Sequence, residues 1–222
     1  MCSGGADLVC LNYSIALSPA SLELAAISSQ IISLLRSPTA DPNYLFVTAV
    51  SPAEVAAKPS AKIYLENRQR AIETHISSPN LSPKTTAFLK SVGDLNGLRL
   101  AVYQGKASAQ DRDAFFAQSK ETWTTQIRNT LDTLESLIGG GGESATAGPY
   151  TLGDQLSLAD LHLMAWLANI VFLAGGQKEK EGIDALETKI GGGWKVGEKL
   201  GAFWDASLLR PSFNKVYAAG LH

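Results

Sequence analysis

The stretch Leu156-Ser157-Leu158-Ala159-Asp160-Leu161 limits what this chain can become more than any other part of it. A Ser three residues ahead of an Asp, with an apolar run behind them, marks a helix start. The Ser157 oxygen accepts from the Asp160 backbone N–H, and the Asp160 carboxylate reaches back to the Ser157 N–H. Leu156 and Leu161 occupy the two positions of a hydrophobic staple. The helix beyond them, Leu158 to about Ala174, is apolar nearly all round, so it is expected to be buried. Gly175-Gly176 ends it. A nucleophilic Ser157 with His162 on the same helix is the alternative. An N-cap serine points at backbone donors, so Ser157 and Asp160 are read as a structural box.

Other helix signals surround this one. Ser18 as a cap, Pro19 at the first position and Leu24, Ile27, Ile31, Leu34 and Leu35 on one face predict a helix over about 19–35. Residues 37–60 are rich in Pro, Ala and Ser and are read as a linker with one short ordered piece, in which Asn43 to Val47 could pack as an anchor and Pro52 to Ala57 could form a helical turn. The chain is therefore divided into residues 1–57 and 58–222. In the second part, helices are expected over 61–76, from Ser82-Pro83 toward Tyr103, and from Ser108 to about Ile138. The last of these carries the stripe Phe116, Trp123, Ile127, Leu131, Leu134 and Ile138. Gly139-Gly140-Gly141-Gly142 stops it. Without a preceding strand or a following Gly-Lys-Ser/Thr, that run is not read as a phosphate cradle. Residues 177–193 are charged and then glycine-rich, with Gly191-Gly192-Gly193 marking a loop, and helices follow over about 195–207 and 211–219. No strand is convincing after the first residues, where Leu8 to Leu11 is a short candidate. The fold class is mainly all-α, a helical bundle behind a short N-terminal remnant.

Composition narrows the function classes. With 45% hydrophobic and 18% charged residues the chain can build a sizeable core. A formal charge of −2 implies no nucleic-acid surface. No apolar run reaches membrane-spanning length, and the start lacks a secretory pattern. Cys2 and Cys10 could pair or react, but in a chain read as cytoplasmic they are expected to be free thiols. His75, His162 and His222 are scattered, so no metal site is expected.

The run Tyr150-Thr151-Leu152-Gly153-Asp154 with Leu156-Ser157-Leu158-Ala159-Asp160 resembles the capping box and staple in the helical C-terminal domain of glutathione transferases. The tail Phe203-Trp204 to Arg210-Pro211-Ser212-Phe213-Asn214-Lys215-Val216-Tyr217 resembles that family's closing segment. With Asp41 to Ile76, the likeness is closest to fungal members and covers roughly the last four-fifths of the chain. The resemblance implies a cytoplasmic, dimeric protein using glutathione as a substrate. A thioredoxin-like half would bind glutathione, and the helical half would shape the pocket for an apolar second substrate. Thiolate activation near the first helix would drive conjugation. That half needs more residues than precede Asp41-Pro42 and a β-α-β pattern, which the start lacks, so it is expected to be missing or shortened.

Candidate site residues come from the same resemblance. The family's acidic-Ser-x-x-Ile element has its nearest counterpart in Ser28-Ser29-Gln30-Ile31-Ile32, with Ser28 in the acidic position. Ser29 is the candidate glutathione contact. Tyr64 and Arg68, one turn apart, are candidate second-substrate contacts, with Tyr103 and Trp123 as aromatic wall. No catalytic residue is assigned. Glutathione-dependent conjugation, or binding of small apolar compounds, is the first functional expectation. A non-catalytic interaction or ligand-binding helical module is the second, with a homodimer or another protein as partner.

Overall fold

The computed structural model describes residues 21–139 and 148–222. The readings of Leu8 to Leu11, Cys2, Cys10, Ser18, Pro19 and Gly140 to Gly142 lie outside these. Among the described residues the fold is all-α, apart from a single bridge between Tyr150 and Gly153. The helices are α1 Leu22–Leu35, α2 Pro42–Val47, α3 Pro52–Ala56, α4 Pro59–Ile76, α5 Pro83–Tyr103, α6 Ala109–Glu121, α7 Arg128–Leu137, α8 Leu158–Ala174, α9 Ala185–Ile190, α10 Glu198–Leu208 and α11 Pro211–Val216. Among the described residues, no helix is long and apolar enough to cross a membrane.

Helix α8 is the centre of the main core. Its capping box forms, with the Ser157 N–H donating to Asp160 Oδ2 at 2.6 Å. Gly175 terminates it at φ 97°, a left-handed position that favours glycine. Leu163, Leu167, Ile170 and Val171 are fully buried. Helix α1 lies along α8 through Ile27, Ile31 and Leu35. Ser21 caps α1, accepting from the Leu24 N–H at 3.1 Å.

Residues 109–137 form one long rod, but not one uniform helix. A π-helical turn, Thr122–Ile127, separates α6 from α7. It inserts extra backbone into the turn and rotates the residues beyond it about the axis. The expected stripe therefore holds from Trp123 through Ile138 and fails before it. Phe115, not Phe116, is the buried residue on α6.

The segment read as a linker is helical and pinned. Pro38, Pro42, Pro52 and Pro59 each start a helical turn, where a missing N–H is harmless. Tertiary hydrogen bonds hold it: Trp166 Nε1 to the Ala40 carbonyl (2.7 Å), Tyr103 Oη to the Val47 carbonyl (3.1 Å) and Trp123 Nε1 to Thr48 Oγ1 (3.2 Å). A second core forms there from Val47, Ala49, Ala61, Leu65, Val102, Tyr103 and Phe115. It joins α4 and α5, which meet closely: a Cβ on Gly93 would sit 3.3 Å from Ile72. Packing crosses position 57 in both cores.

Residues 177–193, for which no helix is expected, contain a 3-10 turn at Lys180–Asp184 and then α9, which buries Leu186 and Ile190 behind Ile183, and Gly191 to Gly193 form the expected loop. At α10 the Glu135 carboxylate takes the N–H groups of Lys199 (3.0 Å) and Leu200 (2.9 Å). A Cβ on Gly197 would collide with that carboxylate.

Candidate functional site

Tyr64 and Arg68 come together as expected. Arg68 donates to the Tyr64 hydroxyl at 3.0 Å, one turn apart on α4. Both line a cavity of about 370 Å³ between the 38–47 segment, α4, α5 and the π-helical turn. Phe46 braces Tyr64 edge-on, with ring centroids 5.8 Å apart. Asn96, Arg99, Gln118 and Gln126 close the cavity with polar groups. Asn96 is fixed, since its amide donates to the Leu65 carbonyl and Gln69 Oε1 at 3.0 and 2.9 Å.

Arg99 is a site residue that the sequence pattern did not single out. Its guanidinium stacks 4.5 Å from the centroid of the Tyr44 ring. Burial, reinforced by the nearby Arg68 charge, pushes the Arg99 pKa below its ordinary value. The Tyr44 hydroxyl beside it is buried and has no hydrogen-bond partner. The trace of this corner in the sequence is slight: Asn96 and Arg99 stand three residues apart on α5.

The other proposed wall residues lie elsewhere. Tyr103 belongs to the second core, edge-on to Phe115 at 6.4 Å, and does not line this cavity. Burial, with the Glu54 charge adding, pushes its hydroxyl up to about 12. Trp123, only 1% exposed, lines a separate cleft of about 870 Å³ with Glu54, Lys120, Arg128, Lys189 and Ile190. In that cleft Lys189 pairs with Glu54 at 2.9 Å and sits 5.7 Å from the Trp123 ring centroid. Burial opposes ionisation of Glu54, but the Lys189 bond and the other cationic and backbone contacts outweigh it and hold the carboxyl below its usual range.

Ser29 lies inside α1 rather than at a helix start. It is exposed, and its hydroxyl donates to the Ala25 carbonyl at 2.9 Å. Ser157 and Asp160 are structural. Asp160 is fully buried, and its carboxylate also accepts from the Thr151 N–H (2.7 Å) and the Ser157 hydroxyl (2.6 Å). Among the described residues, no group of three or more His, Cys, Asp or Glu is placed to hold a metal ion.

Residues 102–191, less than half of the chain, match the family model of the glutathione S-transferase C-terminal domain. The match runs from the end of α5 through α9 and includes the capped α8, Trp123, Gln118 and Gln126. That domain is itself all-α, in agreement with the architecture here. No curated protein and no solved structure matches the chain.

Proposed function

We propose that this chain is a glutathione transferase-like protein whose helical body binds a small molecule in the cleft beneath Tyr64 and Arg68. The observation that carries the reading is the pairing of those two side chains over a cavity of about 370 Å³. That volume lies within the roughly 300–1,000 Å³ range of small-molecule sites. The match of residues 102–191 supports it, because helical domains of this kind shape the second-substrate pocket. Glutathione is the candidate co-substrate. No side chain lining the cleft is assigned to activate a thiol, and the reading concerns binding.

The test is calorimetric titration of the reduced full chain with glutathione and with a small aromatic electrophile, separately and together. Binding of either that weakens on the order of tenfold in Arg68→Ala supports the reading. Binding untouched by Arg68→Ala and Tyr64→Phe, but lost in Lys189→Ala, would move the site to the Trp123 cleft. Ser29→Ala belongs in the same series as the check on the glutathione contact inferred from the resemblance.

A second reading, a self-associating or partner-binding module, has its own support. Phe88, Leu95 and Leu98 on α5 are 65%, 54% and 43% exposed, and Ile63 on α4 is 57% exposed. Large exposed apolar side chains along one helix suit an interface. Light scattering on the full chain and on Phe88→Asp/Leu95→Asp decides: dissociation of a dimer supports it, and a wild-type monomer opposes it.

A further inference from the structure

The cleft beneath Tyr64 has an unbalanced charge. Arg68 and Arg99 both face it, and Asp41 is the acid in its lining. Among the described residues neither arginine has a carboxylate within ion-pair distance. Asp41 Oδ1 takes the Asn43 N–H and side-chain amide at 3.0 Å each, and its single charge acts on Arg99 from beyond ion-pair distance, so one acid faces two arginines. The Arg99 contact is the Tyr44 ring, which satisfies the face of the guanidinium and leaves its in-plane N–H donors unanswered. Donors of a half-buried guanidinium that bond no protein group are available to an oxyanion acceptor. The whole chain carries a formal charge of −2, so this cationic corner is a local feature.

We propose that this cleft takes a small organic oxyanion, with Arg99 as the principal contact and Arg68 as the second. This rests on the reading of the same cleft as the ligand site. A guanidinium fork accepts carboxylate or phosphate oxygens in pairs. The amides of Gln118 and Gln126 add neutral hydrogen-bonding groups for the ligand's body. The ligand class is thus a carboxylate or phosphate ester of metabolite size. A wholly apolar compound would leave both arginines unpaired.

The experiment is calorimetry on the full chain with three probes: citrate, inorganic phosphate and the neutral triester trimethyl citrate. Citrate or phosphate is expected to bind, and the preferred one tells carboxylate from phosphate recognition. Trimethyl citrate is expected to bind at least about tenfold more weakly than citrate. Arg99→Gln is expected to weaken the anion on the order of 10- to 100-fold, the loss typical of a hydrogen-bonded charge. Arg112→Gln, at an exposed arginine paired with Asp113, should leave it unchanged. If Arg99→Gln loses its helical circular dichroism, Gln126→Glu supplies the answer by placing a negative charge in the cleft, and it should abolish anion binding.

The proposal is overturned if no anion binds, if the triester binds as well as citrate, or if Arg112→Gln weakens binding as much as Arg99→Gln. A neutral ligand that is sensitive to Arg68→Ala but indifferent to Arg99→Gln would overturn the anion assignment and leave the cleft reading standing. Insensitivity of every ligand to Tyr64 and Arg68 would remove both.

Discussion

Two corners of this molecule bury polar groups, and they are built in opposite ways. At the start of α8, the Asp160 carboxylate is wholly buried and answered by the Ser157 N–H, the Ser157 hydroxyl and the Thr151 N–H. At the α4–α5 cleft, Arg99 has an aromatic face for company and Tyr44 has an unpartnered hydroxyl. A satisfied buried network rigidifies a fold, whereas an unsatisfied one is a liability unless something else completes it. The first corner therefore serves folding. The second has the character of a place kept for a ligand, next to the Tyr64–Arg68 pair.

Substitution separates the two. Asp160→Ala carries the largest expected effect. It strips three hydrogen-bond donors of their acceptor, removes the cap of the central helix and should cost about 3 kcal/mol or more in urea unfolding. A loss under about 1 kcal/mol would mean the corner is less tightly built than its geometry implies.

Tyr103→Phe tests a case between the two, because its buried hydroxyl has one partner, the Val47 carbonyl. About 1 kcal/mol should be lost. The substitution should also remove a pH dependence. Burial raises the hydroxyl from 10.0 to about 12, so the unfolded chain ionises first. Stability of the wild type should then fall as pH rises from 10.0 toward about 12, and the Phe variant should lack that contribution in urea titrations at each pH.

Arg99→Gln should change stability by less than about 0.5 kcal/mol, or raise it slightly, because relieving a desolvated charge offsets lost packing. Destabilisation of about 2 kcal/mol would place Arg99 with the structural corner instead. Ser29→Ala should be the mildest. An exposed serine bonded back to its own helix contributes within about 0.5 kcal/mol, readable as a melting shift of a degree or two at most.

Much of the helical layout is legible along the chain. Ser82, Ser108 and Ser157 cap the helices expected of them, and Gly175 ends α8 where expected. Each of these is backbone chemistry within about four residues, so no distant contact is needed to predict it. The apolar surround of α8 likewise announces its burial. The cleft was half legible: Tyr64 and Arg68 share a helix face and meet as expected, while Tyr103 and Trp123 turn into cores on other sides.

What misled was composition standing in for packing. Prolines over 37–60 suggested a linker, yet four of them sit at helix starts, and the segment is fastened by side chains from α5, α8 and the π-helical turn. Charges and glycines over 177–193 hid α9 in the same way. Sequence alone determined the longer helical stretches and where many of them begin, because caps and stops act locally. The tertiary structure decided the phase of the 109–137 rod, through one π-helical turn. It placed Glu135 as the cap of a helix more than 60 residues away. It also left Arg99 facing a cleft in which, among the described residues, no carboxylate lies within ion-pair distance of it. Each of those outcomes depends on which groups end up adjacent in space, a quantity that neither periodicity nor propensity along the chain contains.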